Sequence, residues 1–92
     1  LGDVYKRQVI TMPETDIVGA KQLAERICAN VRRQPYRHNS DELSITVSVG
    51  LSAFTLEDAD FEEVLDRADY GLYQAKTLGR DRCEVALHGK PE

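Results

Sequence analysis

An α+β fold, with helices laid on a small sheet as a two-layer sandwich, is what this 92-residue sequence predicts. Two stretches place apolar residues at steps of three and four, the period of a helix with one buried side. One stretch alternates apolar and polar residues strictly, the period of a strand. Short β-branched runs stand at either end, so the expected order is β-α-β-α-β. Three short strands make a small sheet, and the unit looks like part of a larger one.

The first strand is expected at residues 9–12, VITM, where β-branched and apolar residues run up to Pro13. Proline has no N–H to give to a ladder and suits a strand end. Thr15 or Asp16 can cap the following helix, with acids well placed at its positive end. Ile17, Ala20, Leu23, Ala24, Ile27 and Val31 then form one stripe over about four turns, which Gln34 and Pro35 should close. Residues 36–43, YRHNSDEL, follow neither period and read as a connecting loop. In residues 44–51 Ile45, Val47, Val49 and Leu51 alternate with Ser44, Thr46, Ser48 and Gly50, the clearest strand in the chain. The small residues of the second side leave room for a close-packed helix. Asp60, followed by Glu63, resembles a capping box, and Phe61, Val64, Leu65, Ala68, Leu72 and Ala75 make the second stripe. Gly79 is placed to end that helix in a left-handed turn, and Cys83 and Val85 face inward from a last short strand.

Composition narrows the function. A chain that is 41% hydrophobic and 30% charged is an ordinary globular sequence. Its net charge of −4 argues against a nucleic-acid binder, because such proteins displace counterions with a basic surface. Cys28 and Cys83 have no CxxC or neighbouring histidine spacing and read as reduced, buried thiols of a cytoplasmic protein. His38 and His88 stand in loop-like contexts without ligand spacing. No apolar run approaches the roughly 20 residues of a membrane span, so an anchor would have to come from sequence upstream.

Both ends are expected to lie outside the folded unit. Residues 3–8, DVYKRQ, match the in-frame translation of a transposase mosaic-end sequencing adaptor, so residues 1–8 are set apart from the domain at 9–87. The alternative is a genuine exposed strand through Val4 and Tyr5. Removing two cations and one acid with that segment moves the net charge from −4 to −5. Residues 88–92 read as a polar tail, with the loop formers of LHGKPE suggesting the end of the chain.

The stretch at 67–80, RADYGLYQAKTLGR, carries the chemistry. Asp69, Tyr73 and Lys76 line one side of their helix, and Lys76 and Arg80 stand four apart at its end. If Gly79 turns the backbone sharply, two cations meet there, a planar donor fork and a mobile point charge, which together suit a polyphosphate. Cations in a last helical turn are more often simply partners of the dipole, and spacing alone favours that reading about three to one. By the same standard Asp69 is an ordinary helix residue and Tyr73 a core aromatic with its hydroxyl at the edge.

Resemblance shifts the balance. MPETD, LAERI, ITVSVGLSA and RADYGLYQAKTLGRDR, in this order and at these separations, resemble the second half of the GGDEF family over residues 9–86. The resemblance implies a fold like that of nucleotidyl cyclase and polymerase palm domains. It also implies diguanylate cyclase activity, in which two subunits of a homodimer each bring one GTP and the two are condensed to cyclic di-GMP. The cofactor implied is Mg2+ or Mn2+, and the expected companion is an upstream sensory or receiver domain. Lys76 and Arg80 then match the family's cations on the GTP phosphates. Arg26, in LAERI, resembles a secondary contact of the product-inhibition site, and is equally well read as a solvated helix arginine.

The chain also departs from the pattern. It contains no GGDEF or GGEEF sequence and no upstream strand with a metal-binding aspartate, so no catalytic residue and no metal ligand is assigned within it. Asp81 stands where the family usually has Asn, an exchange that either weakens an amide hydrogen bond near the phosphates or adjusts the turn. Three readings therefore follow: the inactive C-terminal half of a diguanylate cyclase, a degenerate GGDEF domain that binds GTP or cyclic di-GMP as a regulatory module, and a small ferredoxin-like interaction domain without a nucleotide site.

Overall fold

The computed structural model describes residues 8–88. Most of the adaptor-like segment and most of the polar tail lie outside the described residues. The α+β class holds: two helices flank a short parallel strand pair, and an antiparallel hairpin lies between the first helix and that pair.

Helix α1 runs Ile17–Arg33. Asp16 caps it by accepting from the Gly19 N–H at 2.8 Å, and Thr15 instead donates to the Pro13 carbonyl. Gln34 closes it, its N–H on the Val31 carbonyl, as Pro35 requires. The buried line is Ala20, Ala24 and Cys28, at steps of four. Leu23 and Ile27, expected in that line, are each 39% exposed. Small residues win the contact because α1 approaches the strands closely there.

The segment at residues 36–43 is not a plain loop. Strands β1 (Tyr36–His38) and β2 (Asp41–Leu43) pair antiparallel, with Tyr36 opposite Leu43 and His38 opposite Asp41. Asn39 and Ser40 make the two-residue turn at φ 51° and 74°, the left-handed pair that matches strand twist in a tight hairpin. The strand expected at residues 44–51 is laddered only as β3, Val49–Leu51, since β4, Cys83–Val85, offers just three partners. Residues 9–12 form no strand either. Val9 and Ile10 are exposed, and among the described residues no strand lies beside them to complete a ladder; Met12 packs on the core.

Helix α2 runs Phe61–Thr77 and is the crossover between β3 and β4, which explains why that pair is parallel. Asp60 caps it through the Glu63 N–H at 3.2 Å, while Glu63 reaches back to accept from Ala59 at 2.7 Å. The strand pair is covered on both sides. Val49, Leu51, Cys83 and Val85 pack with Ala20 and Ala24 of α1. Gly50, pointing the other way, lies against α2, where a Cβ would come within 2.1 Å of the Ala68 carbonyl oxygen and 2.2 Å of the Leu72 nitrogen. Gly71 answers from the helix: its Cβ would stand 2.9 Å from the Glu84 carbonyl oxygen. Backbone meets backbone, so neither neighbour can yield. That contact sets the height of α2 over the strands and hence the position of its C-terminal end. Among the described residues no helix is long and apolar enough to cross a membrane.

Candidate functional site: the turn that ends helix α2

Three consecutive residues after α2 have positive φ: Gly79 at 125°, Arg80 at 63° and Asp81 at 52°. Glycine accepts this freely, whereas each left-handed non-glycine residue costs about 1–2 kcal/mol. The turn is held from inside by a helix-closing pair of hydrogen bonds, Leu78 N–H to the Gln74 carbonyl at 2.9 Å and Arg80 N–H to the Ala75 carbonyl at 2.8 Å. The second of these is the long bond of a Schellman turn, made possible by glycine at its hinge. Lys76 is half-buried in the last helical turn, and Arg80 is exposed at the second left-handed residue. The two expected cations thus flank one helix terminus, where the dipole favours positive charge.

Two further arginines brace this turn from outside. Arg82 Nε donates to the Arg80 carbonyl at 3.4 Å. Arg32, at the end of α1, donates to Asp81 Oδ2 at 2.7 Å. The Arg32 guanidinium holds the Asp81 carboxyl below the usual carboxylate range, and Asp81 in turn raises Arg32. Asp81, for which the sequence left two options open, makes an ion pair to another element. Its signal was available in the sequence, because Arg32 is the next step of four after Ala20, Ala24 and Cys28.

A cavity of about 310 Å³ lies between α1 and this turn, lined by Glu25, Cys28, Arg32, Asp81, Arg82 and Cys83. None of Lys76, Arg80 and Arg26 lines it. Its mixed charges do not make it a phosphate pocket. Both cysteines are free, and burial pushes each thiol up, which leaves them poor nucleophiles. Arg26 is exposed on α1 and, two residues from both Ala24 and Cys28, stands on the side turned away from the strands. It is not brought near the α2 turn by the α1 contact that carries Arg32.

Spacing failed to reveal the other end of α2. Arg67 grips Asp58 with both prongs, Nη1 to Oδ1 at 2.5 Å and Nη2 to Oδ2 at 2.7 Å, and Nη2 also reaches the Ala53 carbonyl at 2.7 Å. Thr55 adds its N–H to Asp58 Oδ2 at 2.8 Å. The Asp58 side chain is only 4% exposed, and Arg67, followed by Thr55, holds its carboxyl far below the usual range. Tyr73, expected at the core edge, is 63% exposed and stacks on Tyr70 with ring centroids 6.3 Å apart.

Comparison with known proteins decides the family. A model described as "Diguanylate cyclase, GGDEF domain" matches residues 6–82. This chain belongs to the GGDEF family. Among its relatives, Diguanylate cyclase DgcP of Pseudomonas aeruginosa is 44% identical over 78 residues, which are 85% of this chain and 12% of that protein. Response regulator PleD of Caulobacter vibrioides is 41% identical over 75 residues, 79% of this chain and 16% of that protein. Diguanylate cyclase DgcZ of Escherichia coli is 41% identical over 59 residues, 63% of this chain and 19% of that protein. The GGDEF chain thus spans less than a fifth of the length of each of these three relatives. Among the described residues no group of three or more His, Cys, Asp or Glu side chains could hold a metal ion.

Proposed function

We propose that this chain is the phosphate-holding part of a diguanylate cyclase, in which the 3′-hydroxyl of one GTP attacks the α-phosphate of a second and each attack expels one pyrophosphate. The observation that carries this reading is the position of Lys76 and Arg80 on either side of the Gly79 turn, in a chain whose family match spans that turn. Arg80 supplies a planar fork to phosphate oxygens and Lys76 a mobile charge, so together they neutralise and orient a triphosphate. Catalysis of this class is largely positioning and charge stabilisation, and such a turn can do both. Mg2+ or Mn2+ would neutralise further charge in the intact domain.

The parent is accordingly a homodimer when active, with one GTP on each subunit, and is controlled by a sensory or receiver domain upstream. Arg26, on the exposed side of α1, is free to serve as a secondary contact for cyclic di-GMP. The alternative is a degenerate GGDEF parent that binds GTP or cyclic di-GMP as a regulatory module; an intact GGDEF or GGEEF sequence just before Val9 in the parent would favour the enzyme and a broken one the module.

The test is K76A/R80A in the full-length parent, read as GTP affinity by calorimetry. Loss of about a hundredfold is expected for two charge-assisted contacts. Unchanged affinity would remove the phosphate role and leave an interaction domain without a nucleotide site.

A further inference from the structure

We infer that Arg32 is a positioning residue for the phosphate turn: by its ion pair with Asp81 it ties the end of α1 to residues 79–81 and fixes where Arg80 stands. This rests on the phosphate-holding reading above and adds to it a residue from a different helix.

The turn holds two adjacent non-glycine residues at left-handed φ, Arg80 and Asp81. A backbone of that kind persists only where its surroundings over-determine it. Aspartate tolerates the conformation, but arginine has no such tendency, so Arg80 is the residue that needs external support. The Arg80 N–H bond to Ala75 holds the near side of the turn. Arg82, reaching the Arg80 carbonyl at 3.4 Å, holds the exit weakly, and its guanidinium is also drawn toward Glu84, 3.9 Å away. Arg32 to Asp81, at 2.7 Å, is the shortest contact the turn makes with another element among those described. It is also the longest in sequence, joining residues 49 apart.

Register explains why Arg32 can serve. Ala20, Ala24 and Cys28 press α1 onto the strand pair, and Arg32 continues that line past the last small residue. Its stem follows the packed side of the helix, and its head group emerges where β4 begins. A carboxylate at position 81 gives that guanidinium a charged partner that an amide would not. Arg32 never needs to touch a phosphate: it acts on Arg80 through Asp81.

The experiment is a set of variants in the full-length parent: R32A, R32K, D81N, R32A/D81N and, for reference, K76A/R80A. Each is read for affinity toward GTP and inorganic tripolyphosphate by calorimetry, and for thermal midpoint. R32A should weaken both polyphosphate ligands about threefold to fivefold, the range of a partly exposed pair, while affinity for guanosine stays the same. R32K, which keeps charge and loses the fork, should fall between. In the D81N background, removing Arg32 should change nothing further, so the two effects do not add. A purely structural arginine would instead lower the thermal midpoint and leave the ratio of GTP to guanosine affinity intact, which overturns the positioning role. If R32A keeps wild-type GTP affinity while K76A/R80A loses it, Arg32 positions nothing and the phosphate reading stands. If K76A/R80A also keeps it, both ideas fall together.

Discussion

The two ends of α2 are each secured by an arginine–aspartate pair, and the two pairs differ in kind. At the start, Asp58 is 4% exposed and receives both prongs of Arg67 together with the Thr55 N–H. At the end, Asp81 is 30% exposed and takes one contact from an Arg32 that is half in solvent. A saturated, buried pair holds structure, because loss of either partner strands a charge. A half-exposed pair contributes little to stability and can still decide where a backbone turn stands. The same chemistry therefore anchors the helix at one end and aims it at the other.

The largest expected effect breaks the anchored end. R67A leaves the Asp58 carboxylate enclosed with only Thr55 beside it, and should lower the thermal midpoint by on the order of 10 °C. R67K should recover part of this, since one ammonium cannot replace the two parallel bonds. If R67A matched R32A in the melting experiment, the contrast between the two ends would disappear.

Acid sharpens the same contrast. The folded carboxyl of Asp58 is held below its unfolded value of about 3.9. Its contribution is thus fully present above that pH and is lost as pH falls through 3.9 toward the folded value. Denaturant titrations between pH 6 and pH 2 should show stability dropping below about pH 4, and D58N should flatten that drop. The folded carboxyl of Asp81 is lowered as well, so D81N should remove a smaller part of the same slope.

A smaller effect tests the aimed end. A Cβ on Gly79 would meet only the Arg82 Nη2 at 3.6 Å, ordinary contact, so space is not the obstacle. Its φ of 125° is. G79A should cost about 1–2 kcal/mol in denaturant unfolding and weaken GTP binding more than that loss of stability alone would suggest.

Much of the fold was legible because it rests on local chemistry. Asp16 and Asp60 cap where capping residues were expected, and Gly79 turns as its position implied. The hairpin was missed because its strands are polar and its turn depends on Asn39 and Ser40 accepting left-handed φ, which no hydrophobic period reports. Alternation held where the ladder forms, with Val49 and Leu51 toward α1 and Gly50 toward α2, while Ile45 is exposed; ladder length depends on the partner, and β4 is three residues long. In the site, Lys76 and Arg80 stood out through motif and helix register. Arg67 to Asp58 did not, because the pair closes across a loop whose path only the fold supplies. Arg32 to Asp81 lay between these cases: the step of four was visible, and its destination was not.

The most direct measurement compares affinity for GTP with affinity for guanosine, in the wild-type parent and in K76A/R80A. If the turn holds the triphosphate, the substitution should reduce the GTP-to-guanosine ratio by about a hundredfold while guanosine alone binds as before. An unchanged ratio would mean that Lys76 and Arg80 serve only the end of their helix.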